Sequence, residues 1–498
     1  MKKRKSVVCI LIILFLLIAF GVTVGIEWAY DTFGHLSIDE VIFHLKVPME
    51  GTNTDLIWTF AKQCLWKVIV PTIIISFVLI YPMVKDLKII EDKIHTSEKR
   101  RTIVINLSIA ILILIANVTK VIRTSDISEY ISNQMNNSTF IEKEYVEPSK
   151  VDISFDRQKR NLIYIYLESM ESTYYSKEDG GLADQDLIPE ISKLAKQNTN
   201  FTNTENIGGA YTLYGTTWTV GAMTAQTSGI PLKISVDGNS LSEYSSFLKG
   251  AYSLGDVLEK NDYHNYLLLG SDATFGGRSN LFKQHGNYEI YDFETAVREN
   301  KVSEKIWWGY TDATLFKYAK EKIGELAKED RPFNFTMLTA DTHFPDGYVC
   351  DNCLEQWDKQ YKNVISCSSR RVGELVQWIQ KQDFYDNTTI VIVGDHLTMQ
   401  TDFFPIEEGQ DYEKKVVSLI INPAEEAKHT KNRIYSTMDL YPTTLTAIGA
   451  KIEGNRLALG TNLFSDEQTL LEKYGVEYIN DELKKTSKFY DRHILQKR

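Results

Sequence analysis

Four short stretches spread over more than two hundred residues carry a set of side chains able to do chemistry together. They are Glu168 at the end of 163–167, Thr219 in Thr217-Trp218-Thr219-Val220-Gly221, His343 in Asp341-Thr342-His343-Phe344-Pro345, and the pair Asp395-His396 after Gly394. Two carboxylates, a hydroxyl and imidazole nitrogens can hold a divalent cation beside a nucleophile. A threonine hydroxyl attacks poorly unless a base or a metal activates it. Metal-dependent group transfer is therefore the chemistry this set predicts. Oxygen-rich donors with one imidazole suit Mn²⁺ or Mg²⁺ better than they suit a structural zinc site, with Zn²⁺ as the remaining option.

Each residue also has a plainer reading. Glu168 would serve as an acidic charge in the first turn of a helix starting at Ser169. Thr219 would be a cap, as threonines in such runs often are. Asp395 would be a cap followed by a surface histidine, and His343 a structural histidine in a loop. Arg278, after Thr274-Phe275-Gly276-Gly277, would form a surface ion pair. What favours function is position. Two of the stretches follow apolar, β-branched runs, where an α/β sheet places its loops and its ligands. Gly394 would let the chain turn, so that Asp395 and His396 face one site. A helix beginning near Val220 would aim backbone N–H groups at a bound anion. Arginine suits bidentate contact with a phosphoryl group.

The elements that must position these residues can be read from periodicity. Strand-like runs at 162–167, 266–269, 333–338, 389–393 and 416–421 alternate with helical patterns at 189–197, 253–260, 312–327 and 369–382. Such alternation predicts an α/β fold, a mostly parallel central sheet flanked by helices. Before it come three uncharged runs, at about 7–26, 68–84 and 102–118. The first matches the roughly 20 residues needed to cross a bilayer, and the shorter two complete a three-span region. A cleaved signal peptide is disfavoured, because no small-residue cleavage site follows the first run. Basic residues cluster at the N-terminus and across 85–101, whereas 27–67 holds only Lys46, Lys62 and Lys67. That bias puts the N-terminus and the second loop in the cytoplasm and everything after the third span outside. The resulting division is a transmembrane region over 1–119, a polar linker over 120–159, a catalytic domain over 160–464 and a charged helical tail over 465–498.

Net charge of −11 excludes nucleic acid as a partner, since nothing would offset phosphate repulsion. Three of the five cysteines, Cys350, Cys353 and Cys367, cluster in the external part. No second pair or nearby histidine completes a zinc site. One disulfide in an oxidising compartment is expected, best assigned to Cys353–Cys367, with Cys350 left over.

Taken together, 161–169, Thr219-Val220-Gly221-Ala222-Met223 leading to Ser228-Gly229-Ile230-Pro231-Leu232, Phe275-Gly276-Gly277-Arg278, 341–347 and Asp395-His396 make a recognisable pattern. The stretch from about Asn161 to about Gly460 resembles the phosphoglycerol transferases of the alkaline phosphatase–sulfatase superfamily. These include lipoteichoic acid synthase and the enzyme that decorates periplasmic glucans. The resemblance implies that Glu168, Thr219, Asp395 and His396 bind one metal ion, usually manganese. It implies that Thr219 carries phosphoglycerol, and that Arg278 and His343 contact the phosphate. Phosphatidylglycerol would be the donor, a cell-surface or periplasmic glycan the acceptor, and the cytoplasmic membrane the location. Leu269-Gly270-Ser271 and Gly276 stand where lipoteichoic acid synthases carry His-Gly-Asp and a Trp, which favours glycan decoration over polymer synthesis. Threonine at 219 cannot become formylglycine, which disfavours sulfate-ester hydrolysis. Alternatives are phosphoethanolamine transfer, lipoteichoic acid synthesis proper, and a non-catalytic protein that binds anionic lipid.

Overall fold

The computed structural model describes residues 2–33, 55–89, 96–156, 158–233, 247–406 and 410–495. The chain forms two compact units, divided near residue 132.

The N-terminal unit contains α1 (Lys2–Phe33), α2 (Asp55–Ile89) and α3 (Thr96–Thr124). Each carries a stretch long and apolar enough to cross a membrane, at Ser6–Tyr30, Trp58–Met83 and Arg101–Thr124, and this is a membrane protein. The second and third stretches exceed the uncharged runs, because polar residues at their ends continue the helix. Pro71 and Pro82 lie inside α2 without ending it. Ile12, Leu16, Leu79, Met83 and Ala110 form a small shared core. Polar contacts join the helices: Thr23 donates to Asn117 Oδ1 at 2.9 Å and Asn106 Nδ2 to the Leu79 carbonyl at 2.6 Å. The Lys120–Glu27 ion pair spans 2.6 Å. Much of the sparsely charged 27–67 connection, and part of the basic 85–101 segment, lie outside the described residues.

The second unit is built on a sheet of seven strands among the described residues. Four short strands lie outside it: β1 (Ile153–Phe155) pairs antiparallel with β9 (Ala450–Ile452), and β10 (Arg456–Leu457) antiparallel with β11 (Gly460–Thr461). The sheet itself comprises β2 (Asn161–Leu167), β3 (Gly209–Ala210), β4 (His264–Leu269), β5 (Glu289–Tyr291), β6 (Phe333–Leu338), β7 (Thr388–Gly394) and β8 (Val416–Ile421). Their order is β3-β8-β7-β2-β6-β4-β5. The five strands from β7 to β5 are parallel; β8 pairs antiparallel with β7, and β3 pairs antiparallel with β8 at the edge.

Every residue of β2 is buried, and alternate side chains enter different cores. Leu162, Tyr164 and Tyr166 join one, and Ile163, Ile165 and Leu167 the other. This is how a parallel strand covered on both faces must read, as a continuous apolar run. Helices α4 (Pro189–Gln197), α8 (Asp312–Leu326) and α9 (Gln360–Ile379) cover one face. Helices α5 (Thr219–Ser228), α6 (Leu254–Lys260), α7 (Arg278–Gln284) and α10 (Leu440–Ala447) cover the other. Helix α9 starts nine residues before the pattern at Ser369 suggested, because polar positions such as Asn363 and Ser368 are buried inside it.

The polar stretch 120–159 does more than link. Its backbone bridges Asn137 to Thr486 and Val146 to Ala458. The charged segment after Ser465 is helical, and it is not peripheral: Leu470, Leu471, Ile479, Leu483, Tyr490 and Ile494 are buried in the α5-side core. Single apolar residues spaced along a charged sequence suffice to dock a short helix.

Candidate active site

Strands β2 and β7 are neighbours in parallel register, Leu167 opposite Gly394. Their carboxyl ends therefore deliver Glu168 and Asp395-His396 to the same place. The ladder continues one step further, with Asp395 N donating to the Leu167 carbonyl at 3.0 Å. Gly394 is needed for close approach rather than for a left-handed turn: a Cβ there would lie 2.0 Å from the Met170 carbonyl oxygen.

After Glu168 the chain turns sharply instead of entering an α-helix. Ser169 sits in the left-handed region at φ 53°, a strained conformation for a residue with a Cβ. Three bonds hold it. Its N–H donates to Asp395 Oδ1 at 2.9 Å, its hydroxyl donates to Glu168 Oε1 at 2.7 Å, and Thr342 donates to the Glu168 carbonyl at 2.6 Å.

Glu168, Asp395 and His396 are all buried, and one donor atom from each lies within 4.8 Å of the others. His396 Nε2 stands 3.6 Å from Glu168 Oε1, 3.4 Å from Asp395 Oδ2 and 3.5 Å from Thr219 Oγ1. His396 Nδ1 faces the Leu397 carbonyl at 2.8 Å. A carbonyl only accepts, so the proton sits on Nδ1 and the Nε2 lone pair points into the cluster. Asp395 Oδ1 accepts from two backbone N–H groups, of Ser169 and His396. Its Oδ2 is buried without a hydrogen-bond partner. A stranded carboxylate oxygen in such a place needs a cation or a proton. Burial and the neighbouring Glu168 push the Asp395 carboxyl up to about 7. The donor set, four groups converging with one orphaned oxygen, fits a divalent cation.

Thr219 opens α5, with extended Trp218 as its N-cap. The hydroxyl therefore stands at the positive end of a ten-residue helix, where an anion is favoured. Arg278 follows Gly276 and Gly277, both left-handed at φ 67° and 76°; that double turn folds the loop back and is suited to glycine. Arg278 Nε donates to the Phe275 carbonyl at 3.0 Å and Nη2 to the Asp272 carbonyl at 2.6 Å. Burial lowers its pKa to about 10, opposed by Asp272, Glu168, Asp292 and Asp395. It remains a cation at neutral pH, held within electrostatic reach of the cluster.

His343 Nδ1 faces the Phe344 carbonyl at 2.8 Å, which again leaves Nε2 as an acceptor. Desolvation pulls this imidazole down to about 4, so it is neutral at physiological pH. The Trp308 ring packs against it at 4.4 Å between centroids and touches Phe275 at 5.4 Å.

The structure thus gathers Glu168, Thr219, Asp395 and His396, with Arg278 and His343 around them. Cys353 and Cys367 form a disulfide, and Cys350 is a buried free thiol. Sequence reasoning missed four supporting residues. Ser169 and Thr342 adjoin residues already singled out. Trp308 had no signal, because its contact with His343 is purely tertiary. Glu171 completes the support: its Oε2 accepts from Thr398 N at 2.9 Å, tying the loop after β2 to the loop after β7.

This fold and site define a class. The sulfatase family pattern matches residues 160–450, and the chain belongs to the sulfatase family. Among curated relatives, Phosphoglycerol transferase I of Escherichia coli is 31% identical over 332 residues, covering 65% of this chain and 41% of its own. Its counterpart in Citrobacter koseri is 30% identical over the same shares. The chain therefore spans about two fifths of the length of the curated relatives it matches. Among solved structures, the lipoteichoic acid synthase LtaP of Listeria monocytogenes shares the fold at TM-score 0.50, with 19% identity over 66% of this chain and 82% of that one.

Proposed function

We propose that this protein transfers phosphoglycerol from phosphatidylglycerol to a cell-envelope glycan, through a phosphothreonine on Thr219. The observation that carries the reading is the convergence of Thr219 Oγ1 on His396 Nε2 at 3.5 Å, beside the orphaned Asp395 Oδ2. A bound divalent cation, Mn²⁺ by its donor set, would lower the hydroxyl pKa of Thr219 and neutralise phosphate charge. Glu168, Asp395, His396 and Thr219 would hold it.

The chain's own groups do the rest. Thr219 Oγ1 attacks the donor phosphorus, and diacylglycerol leaves. The N-terminus of α5 and the Arg278 guanidinium stabilise charge on the phosphoryl oxygens. His343, neutral with a free Nε2, accepts a hydrogen bond from the incoming acceptor hydroxyl and eases its deprotonation. That hydroxyl displaces Thr219 and regenerates the alcohol. Support for the phosphoglycerol group comes from the relatives named Phosphoglycerol transferase I. Support for an extracytoplasmic domain comes from the basic bias of the sequence and from the Cys353–Cys367 bond, which persists in oxidising compartments.

The test is diacylglycerol release from labelled phosphatidylglycerol by the full chain in detergent. Release requires Mn²⁺, stops with chelator, and is lost in Thr219→Ala. Full turnover by Thr219→Ala would end the proposal. Preference for phosphatidylethanolamine would reassign the headgroup, and lipid binding without release would make the protein a receptor.

A further inference from the structure

A second cluster of reactive groups lies away from the nucleophile. Cys350 and Cys353 are drawn together by a tight turn, in which Cys353 N donates to the Cys350 carbonyl at 3.1 Å and Asn352 is left-handed at φ 69°. Cys367 lies on α9, and Arg370 and Arg371 follow it at the three- and four-residue spacings that share a helix face. The bond joins Cys353 to Cys367, yet the Cys350 sulfur lies 3.3 Å from the Cys353 sulfur. Once deprotonated, a sulfur at such a distance can attack a disulfide.

The arginines are distributed between the two outer sulfurs. Arg371 Nη2 lies 3.1 Å from Cys350 Sγ, and Arg370 Nη2 lies 3.6 Å from Cys367 Sγ. Those are the two sulfurs that would alternately be thiolates. The central Cys353 needs no cation, being bonded in either state.

We propose that Cys350, Cys353 and Cys367 form a thiol–disulfide exchange site, in which one bond alternates between Cys353–Cys367 and Cys350–Cys353. Solvent hydroxide takes the Cys350 proton. The thiolate, facing Arg371, attacks Cys353 Sγ, and a new S–S bond forms as the Cys353–Cys367 bond breaks. Cys367 leaves as a thiolate beside Arg370 and is then protonated. The step is redox-neutral and needs no external oxidant. Nothing in this depends on the phosphoglycerol reading. Burial and Asp341 hold the Cys350 thiol up at about 11, so exchange is slow beside that of an activated cysteine.

The experiment incubates the full chain in detergent at pH 8, quenches with acid, alkylates under denaturing conditions and maps non-reduced peptides by mass spectrometry. Two populations are expected, one labelled at Cys350 and one at Cys367 with a Cys350–Cys353 linkage. Cys350→Ser abolishes the second. Cys367→Ser, exported to an oxidising compartment, acquires a Cys350–Cys353 bond. Label on Cys350 alone in the wild type, or a Cys350–Cys367 linkage, overturns the proposal, and the wild-type result decides even where Cys367→Ser does not fold. Two free thiols at 350 and 353 in folded Cys367→Ser also overturn it.

Discussion

Two buried carboxylate pairs lie in the second unit, and they are built to opposite ends. Glu168 and Asp395 end adjacent strands. Asp312, at the start of α8, faces Asp341, just beyond β6. In the second pair, backbone donors satisfy the oxygens. Asp312 accepts from Ala340 N at 2.9 Å and Asp341 N at 3.1 Å, and Asp341 Oδ2 accepts from Asp312 N at 3.1 Å. In the first pair Asp395 Oδ2 has no partner. Desolvation raises the carboxyl pKa in Asp395, Asp312 and Asp341, and a neighbouring carboxylate adds to it in Asp395 (from Glu168) and Asp341 (from Asp312). One pair is a clasp closed on itself with protons and amides. The other keeps an oxygen available, as a cation site must.

The sharpest way to break this contrast is Asp395→Asn. It should cost about 10²–10⁴-fold in turnover, the scale for losing a group that acts with the nucleophile. It should also raise the melting temperature of the metal-free protein, because the charge opposing Glu168 is gone. A metal-free protein that melts lower would make Asp395 structural after all.

Asp312→Ala should behave oppositely. It strands the Ala340 and Asp341 N–H groups, at a cost of about 2–3 kcal/mol. Bound Mn²⁺ per chain, measured by elemental analysis, should stay unchanged.

Ser169→Ala tests the support of Glu168. Losing the hydroxyl bond to Oε1 should weaken Mn²⁺ binding by roughly 10-fold, the lower end for a residue behind a ligand. Calorimetric titration measures this, and unchanged affinity would demote Ser169 to a turn residue.

A last contrast is in pH dependence. A carboxyl with a folded pKa above its unfolded value of ~3.9 binds its proton more tightly when folded. The stability it contributes is complete below that value and is lost as pH rises toward about 6. The stability of the wild type relative to Asp312→Asn should therefore fall between pH 4 and 6 and level off above. A rising difference in denaturant melts would reverse the assignment.

Strand 161–167 and the Asp395-His396 step were legible because burial on both faces demands an unbroken apolar run, and polar residues at its end stand out. The three membrane-length helices were readable because an uncharged run of about bilayer length suits a lipid environment. Less legible were the tail after Ser465 and the stretch 120–159, whose few buried residues are diluted among charges. Glycine 394 was noticed for the wrong property: its value is the approach of Met170, which no local pattern encodes.

The sequence alone determined which residues could carry chemistry and which runs form the sheet, because periodicity and residue type are local properties. Tertiary structure decided that β2 and β7 are neighbours in one register. It decided that Ser169 turns left-handed to bind Asp395, and that Trp308 packs on His343. It also decided which sulfur each arginine faces. Those facts depend on side chains far apart in the chain meeting at ångström distances, and only the packed core specifies that.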